Sequence, residues 1–218
     1  MLLALVLTAA VAKAVPKTPP PPPPPPAWRA KLEQYATEHL EHPAWGTAHA
    51  RRDYRLTMEL AKASGVEVDE EAVFAASWLH DLGAIEPFAQ PGVEHMTRAL
   101  ELIDPILKDA GFPDEKVPLV HTIVSHHMYY SDPKELPPSA LYFREADTLD
   151  FLGAIGISRI FALTGKHRWA PDINAAEATV RKNLDELPGT LATPQGRLRA
   201  ADRILEMEAF LKALAAEK

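Results

Sequence analysis

The segment that decides the fold is AVFAASWLHDLG, residues 72–83. Its first eight residues are apolar or small on every side of a helix, which is typical of a helix buried at the centre of a bundle. Asp69 is a candidate N-cap, and Gly83 ends the helix directly after the polar pair His80-Asp81. These two side chains need partners, because an unpaired polar group is costly in a protein interior.

The rest of the chain carries further amphipathic segments and no alternating pattern of the kind that β-strands show. Helices are predicted at residues 28–40, 47–64, 69–82, 93–110, 114–128, 141–163, 175–187 and 198–215. Within the helix at 141–163, Gly153 and Gly156 would allow close contact with a neighbouring helix. The sequence therefore predicts an all-α, bundle-like domain with short loops.

Histidines and aspartates follow one another in a defined order through these helices. The order is His49, His80-Asp81, His95, His126-His127 and Asp147. Imidazole nitrogens and carboxylate oxygens are the usual ligands of Zn, Mn, Fe and Ni, and the chain has no cysteine to add a thiolate. A bundle can gather these residues from five helices around a metal site in its core. Taken singly, each residue also fits a plain structural position on a helix.

Composition limits the classes of function. The chain has 218 residues, of which 47% are hydrophobic and 24% are charged, as in a globular protein. Its formal net charge of −7 argues against binding to a nucleic acid duplex. A small phosphorylated molecule remains possible as a partner, because bound metal ions reverse the local field.

Residues 1–27 differ in composition from the remainder. Residues 1–14, MLLALVLTAAVAKA, end in the small-x-small pattern of a signal-peptidase site, and their apolar run is too short for a stable membrane anchor. Residues 15–27 form a proline-rich linker, since eight consecutive prolines at 19–26 adopt only extended or disordered conformations. We predict a signal peptide, a spacer and one domain at 28–218. The protein would then be secreted or periplasmic. If residues 1–14 are not a signal peptide, it would be cytoplasmic.

Three segments resemble the motifs of one family. Residues 49–61, HARRDYRLTMELA, resemble H-x-x-R-x-x-x-L-x-x-x-L-A, and residues 78–83, WLHDLG, resemble xLHDxG. Residues 145–159, EADTLDFLGAIGISR, resemble the longer signature DADRLDxxGAIGIxR of small stand-alone bacterial proteins. In these segments the chain is similar to the HD-domain superfamily of metal-dependent phosphohydrolases, whose motif is H…HD…D.

The resemblance implies one or two divalent transition-metal ions, drawn from Mn, Fe, Co, Ni and Zn. It assigns the first ion to His49, His80, Asp81 and Asp147. The positions at which binuclear members add ligands for a second ion are His95, His126 and His127. Because this chain keeps all three histidines, we expect two ions, with Asp81 between them.

An anionic substrate would have to be bound by basic side chains. Arg52 lies one helical turn after His49, and we predict that it acts in catalysis beside Asp81, which would orient the nucleophile. Further substrate contacts are predicted for Arg144, Arg159 and His121. Each of the arginines Arg52, Arg144 and Arg159 also fits an ordinary exposed position on a helix.

These features predict a metal-dependent phosphohydrolase that acts on a nucleotide or another small phosphate ester through a metal-activated water. Two alternatives remain open: a di-iron oxygenase built on the same ligand set, and a non-catalytic ligand-binding domain that kept the fold. The ligands of the hydrolase and the oxygenase are nearly the same, so the sequence does not separate them. It also leaves the oligomeric state open.

Overall fold

The computed structural model describes residues 24–168 and 170–218. These residues form nine α-helices and three 3₁₀ turns, and none of them forms a β-strand. The α-helices are α1 (Ala27–His39), α2 (Thr47–Ser64), α3 (Glu70–Leu79), α4 (His95–Ala110), α5 (Val117–His126), α6 (Pro138–Asp150), α7 (Gly153–Phe161), α8 (Ile173–Glu186) and α9 (Pro194–Ala216). The all-α prediction is confirmed. The predicted signal peptide and most of the proline-rich linker lie outside the described residues.

Helix α3 is the central helix of the bundle. Asp69 caps its first turn by accepting a hydrogen bond from the amide of Ala72. Most residues from Ala72 to Leu79 are buried, and the helix packs against α1, α2 and α5. The regular helix ends at Leu79, three residues before the predicted end, so His80 and Asp81 follow its last turn inside the bundle.

Helices α2 and α6 form the largest helix–helix contact of the described residues. The buried face of α2 runs through His49, Asp53, Leu56 and Leu60, which are spaced by three or four residues as on one face of a helix. Every residue of α6 from Tyr142 to Asp150 is buried. Both helices therefore present polar side chains to the interior over the same part of the bundle.

The predicted helix at 141–163 is wrong in one respect, because the chain turns sharply between α6 and α7. Leu152 adopts an extended conformation, and Gly153 has a φ of 72°, a value that favours glycine. A Cβ atom on Gly156 would lie 2.1 Å from the carbonyl oxygen of Phe151. The two glycines thus permit a tight turn between α6 and α7. The predicted close contact with a neighbouring helix is found at Gly153, where a Cβ atom would lie 2.7 Å from Oε2 of Glu206 in α9.

Helix α9, with 23 residues, is the longest and packs against α7 and α8. Its start is held by the buried Glu145 of α6, which accepts hydrogen bonds from the amides of Ala192 and Thr193 at 2.6 Å each. In the part of the chain that the structure describes, no helix combines the length and the apolar character needed to cross a membrane.

Candidate metal centre

Two buried histidines form the centre of the polar cluster. His49, in the first turn of α2, donates its Nδ1–H to Oδ2 of Asp150 at 2.7 Å. His80 donates its Nδ1–H to the carbonyl oxygen of Ser77 at 3.1 Å. A carboxylate and a carbonyl only accept, so each ring in its neutral form carries a lone pair on Nε2. These two Nε2 atoms lie 3.2 Å apart, in the orientation that a shared metal ion requires.

Three carboxylates face the same two nitrogens. The nearest oxygens of Asp53, Asp147 and Asp81 lie 3.0, 3.3 and 3.4 Å from Nε2 of His49. Ligand atoms of His49, Asp53, His80 and Asp147 all lie within 4.8 Å of one another, and the four side chains are buried. Buried lone pairs that face each other repel, and a cation removes this repulsion. The donor set therefore fits a divalent metal ion with nitrogen and oxygen ligands.

A second group of ligands adjoins the first through Asp81. Its Oδ2 lies 3.3 Å from Nε2 of His80, whereas its Oδ1 lies 3.8 Å from Nε2 of both His95 and His127. His127 donates its Nδ1–H to the carbonyl oxygen of Val124 at 2.8 Å, which leaves a lone pair on Nε2. Ligand atoms of His80, Asp81 and His127 also lie within 4.8 Å of one another. Asp81 thus lies between the two groups.

Burial and neighbouring charges shift the pKa values of this cluster. Burial lowers the pKa of His49, but nearby carboxylates such as Asp53 outweigh burial and raise it well above its ordinary value. Burial favours the neutral form of Asp81, yet attraction to His80 and His49 holds its pKa well below the usual range. Burial lowers the pKa of His127 to about 4, so this ring is neutral at physiological pH. Without a metal, protons compensate part of the negative charge.

Two predicted histidines lie apart from both groups. His126 directs its Nδ1 to the carbonyl oxygen of Thr122 at 3.0 Å and belongs to neither set of clustered ligands found among the described residues. His121 lies on the surface of α5, with its Nε2 2.5 Å from Oδ1 of Asp104. The positions of these histidines therefore give no support to the prediction that His126 binds a metal or that His121 binds substrate.

Asp150 accepts hydrogen bonds from two arginines as well as from His49. Arg52 donates from Nε and Nη2 to the two oxygens of Asp150 at 2.7 and 2.9 Å. Arg159 donates from Nη1 to Oδ2 of Asp150 at 2.9 Å and from Nε to the carbonyl oxygen of Ala44 at 2.6 Å. Nη2 of Arg159 is buried and has no hydrogen-bond partner among the described residues. Arg52 therefore acts on Asp150, while Arg159 keeps one donor for a ligand.

Arg144 is held by the backbone. Its side chain is buried, and it donates to the carbonyl oxygens of Ser131 and Thr190 at 3.0 Å each and of Tyr129 at 2.5 Å. It does not line the cavity beside the cluster. Its position thus favours a structural role, fixing the loop before α6, over the predicted contact with substrate.

A cavity of about 580 Å³ opens beside the two ligand groups. Asp81, His95, Asp147 and Arg159 form part of its wall, so both ligand groups and this arginine border the same space. Aromatic and basic side chains line the remainder, among them Trp45, Tyr129, Tyr130, Phe151, Arg168 and Lys182. The cavity therefore combines the two ligand groups and basic side chains with aromatic surfaces that suit a ring system.

Two carboxylates of the cluster were absent from the predicted site. Asp53 follows His49 by four residues, and Asp150 follows Asp147 by three, so each lies on the same helix face as a predicted ligand. This spacing is the signal that could have found them. It is a weak signal, because acidic residues at such spacings also occur on solvated helix faces.

Residues 47–152 match the family model of the HD domain. This segment is an HD domain. The match includes His49, His80, Asp81 and Asp147, and the family resemblance inferred from the sequence is confirmed. A search of curated proteins gives no significant match.

Solved structures share this HD-domain fold. A protein from Lactobacillus plantarum is 23% identical with a TM-score of 0.65, and the aligned region covers 87% of this chain and 96% of that one. YpgQ from Bacillus subtilis, solved in complex with ADP, is 20% identical with a TM-score of 0.64 and coverages of 87% and 97%. A predicted HD-superfamily hydrolase from an uncultured Thermotogales bacterium is 22% identical, with a TM-score of 0.58 and coverages of 87% and 90%. At these identities the comparisons establish the fold.

Proposed function

We propose that the protein is a metal-dependent phosphohydrolase that acts on a nucleotide or another small phosphate ester. The observation that carries the proposal is the convergence of imidazole and carboxylate lone pairs beside a cavity that Arg159 also lines. The residues that would hold the first metal are His49, His80, Asp81 and Asp147. The residues that would complete a second site with Asp81 are His95 and His127.

A divalent metal bound there supplies Lewis acidity, which lowers the pKa of a water molecule and offsets the charge of a phosphate group. Mn, Fe, Co, Ni and Zn all suit nitrogen and oxygen ligands, so the chemistry of the donors leaves the choice among them open. Asp81 borders the cavity with a side chain that is 14% exposed, whereas Asp53 and Asp150 are completely buried. Its lowered pKa keeps it anionic at neutral pH, so it can accept a hydrogen bond from an attacking water and orient it.

The phosphate group itself needs a cationic partner. Arg159 lines the cavity, and its Nη2 would be the nitrogen left to bind a phosphate, because the other two nitrogens of that guanidinium are held by Asp150 and Ala44. A fixed guanidinium stabilises charge that develops on phosphate oxygens as the bond to the leaving group breaks. Arg52, with Nε and Nη2 both bound to Asp150, would influence the reaction through the position of that carboxylate.

A nucleotide suits the cavity by volume and by chemistry. Small-molecule sites commonly enclose about 300–1,000 Å³, and this cavity falls within that range. The aromatic side chains of Trp45, Tyr129 and Tyr130 offer faces for a base, while Arg168 and Lys182 add positive charge. The structural relative YpgQ was solved with ADP, which supports a nucleotide as the ligand here.

Export remains a proposal that rests on residues 1–14 alone. An exported enzyme would encounter nucleotides outside the cytoplasm. A role as a scavenging nucleotidase would suit it better than control of an intracellular nucleotide pool. Fractionation of cells that express the full chain, with N-terminal sequencing of the product, tests both the location and the predicted cleavage after Ala14.

The test is phosphate release by the full chain from nucleotides and simple phosphate esters, with Mn, Co, Ni, Zn or Mg added. The variant Asp81→Ala removes the carboxylate between the two ligand groups, and Asp104→Ala, at the exposed partner of His121, is the matched control. We expect metal-dependent turnover that Asp81→Ala abolishes and Asp104→Ala retains. No turnover, together with retained iron and oxygen consumption, would favour the di-iron oxygenase. Metal binding without either activity would favour a ligand-binding domain.

A further inference from the structure

Asp53 is a carboxylate that the HD motif does not include, yet it lies within the first ligand group. It follows His49 by four residues on α2, so both side chains point to the same side of the helix. Its Oδ2 lies 3.0 Å from Nε2 of His49 and 3.6 Å from Nε2 of His80. Its ligand atom and those of His49, His80 and Asp147 are all within 4.8 Å of one another.

Neither carboxylate oxygen of Asp53 has a hydrogen-bond partner among the described residues, although the residue is 0% exposed. Even the neighbouring hydroxyl of Thr57 donates to the backbone carbonyl of Asp53 and not to its side chain. A buried carboxylate without donors is strongly destabilising unless a cation binds it. The surroundings of Asp53 therefore lack a partner that a metal ion would supply.

An ion pair between Asp53 and a protonated His49 explains the geometry less well. The Nδ1–H of His49 already binds Asp150, and its Nε2, although 3.0 Å from Asp53, does not meet the angular requirements of a hydrogen bond to it. Asp150 in turn is balanced by Arg52 and Arg159. In the metal-free protein a protonated His49 therefore offsets part of the charge of Asp53 without a hydrogen bond to it, and a metal ion among the ligand atoms would take the place of that proton.

We propose that Asp53 is an additional ligand of the first metal ion and makes this site richer in oxygen than the HD motif alone would. The proposal rests on metal binding by the first ligand group, which is part of the proposed function. Carboxylate oxygens favour hard ions such as Mn²⁺, whereas imidazole suits Zn²⁺ as well. Asp53 should therefore contribute more to the affinity for Mn²⁺ than to the affinity for Zn²⁺.

The experiment measures binding of Mn²⁺ and Zn²⁺ to the chelator-treated full chain by titration calorimetry, at one pH. Asp53→Asn keeps the shape of the side chain and removes its charge, and Asp202→Asn, on the exposed face of α9, is the matched control. We expect Asp53→Asn to weaken Mn²⁺ binding about 10-fold or more, with a smaller effect on Zn²⁺. The control should bind both ions as the wild type does.

Thermal unfolding of the metal-free proteins separates a ligand from a structural residue. A ligand is under electrostatic repulsion before the metal binds, so metal-free Asp53→Asn should unfold at the same temperature as the wild type or at a higher one. A lower unfolding temperature with unchanged Mn²⁺ affinity would make Asp53 a structural partner of His49 and overturn the proposal. Asp53→Val, of similar size without polar atoms, serves the same test if the amide variant does not fold, and failure of both variants to fold also contradicts it.

Loss of the metal site and loss of the role of Asp53 give different binding results. A wild-type chain that binds neither ion removes the metal site itself, and with it the proposed function. A wild-type chain that binds both ions, with Asp53→Asn binding Mn²⁺ equally well, removes only the assignment of Asp53.

Discussion

Oδ2 of Asp150 lies 2.7 Å from Nδ1 of His49, and this hydrogen bond connects a ligand of the first group to a pair of arginines. The carboxylate fixes the tautomer of the imidazole and increases its basicity, as carboxylates behind metal-bound histidines commonly do. Burial favours the neutral form of Asp150, but hydrogen bonds from His49 and Arg52 and attraction to Arg159 hold its pKa well below the usual range. Asp150 is therefore an anion throughout the physiological range.

Replacing Asp150 with Asn tests this arrangement. The amide cannot balance the charges of Arg52 and Arg159, so we expect a loss of about 3 kcal/mol in the free energy of unfolding. His49 should become a weaker ligand, and metal affinity should fall about 10- to 100-fold. Denaturant unfolding and metal titration measure the two effects. Unchanged affinity in a folded Asp150→Asn protein would show that the hydrogen bond to His49 does not support a ligand.

His126 and His127 are adjacent at the end of α5, so the effects of replacing each of them can be compared at one place in the fold. His127 is completely buried beside Asp81 and His95, whereas His126 is bonded to the carbonyl oxygen of Thr122. We expect His127→Ala to reduce both bound metal and activity about 10-fold or more, and His126→Ala to stay close to the wild type. Metal content by elemental analysis and turnover of a phosphate ester measure the difference. Equal losses in both variants would restore His126 as a ligand.

His42, which lies outside the two ligand groups, should make the free energy of unfolding depend on pH in the acid range. His42 stacks on Trp45 with ring centroids 4.0 Å apart, and its Nδ1 accepts hydrogen bonds from the amides of Ala44 and Trp45 at 3.2 Å each. Burial lowers the pKa of His42 from 6.5 to about 4. The unfolded chain therefore binds a proton at this position below pH 6.5, while the folded protein does so only near pH 4.

The free energy of unfolding should consequently fall as the pH decreases from 6.5 towards 4, in part because of His42. His42→Asn keeps a side-chain acceptor for the two amides and removes the titrating ring. We expect the pH dependence of this variant to be shallower than that of the wild type by up to one bound proton. Denaturant unfolding at several pH values measures it, and parallel curves would assign the acid sensitivity to other groups.

The sequence predicted the helical class and the order of the ligands more reliably than the orientation of single side chains. His49, His80, Asp81 and Asp147 come together as the HD motif implies, because the motif encodes residues at fixed places on buried helices. Asp53 was missed because an acidic residue four positions after a ligand has the same pattern whether it faces solvent or α6. Only the packing of α2 against α6 makes it buried.

Arg144 shows the opposite limit of the sequence. An arginine directly before the HD-like signature is predicted to bind substrate, but its guanidinium donates hydrogen bonds to three backbone carbonyls. Those carbonyls belong to Tyr129, Ser131 and Thr190, which lie in loops whose paths a helical pattern does not determine. Contacts between side chains and distant loops are tertiary properties, so the sequence could not distinguish Arg144 from Arg159.

The two arginines make opposite predictions for mutation to lysine. Lysine cannot reproduce the three hydrogen bonds of Arg144, so Arg144→Lys should lower the unfolding temperature and leave kcat/KM of the folded protein close to the wild type. Arg159→Lys removes the unpaired Nη2 of a residue that lines the cavity, and kcat/KM for a phosphate ester should fall about 100-fold. Because Arg159 also binds Asp150, metal affinity must be measured alongside turnover. A loss of turnover with nearly unchanged metal affinity assigns Nη2 to the phosphate group, whereas parallel losses would limit Arg159 to positioning Asp150 and His49.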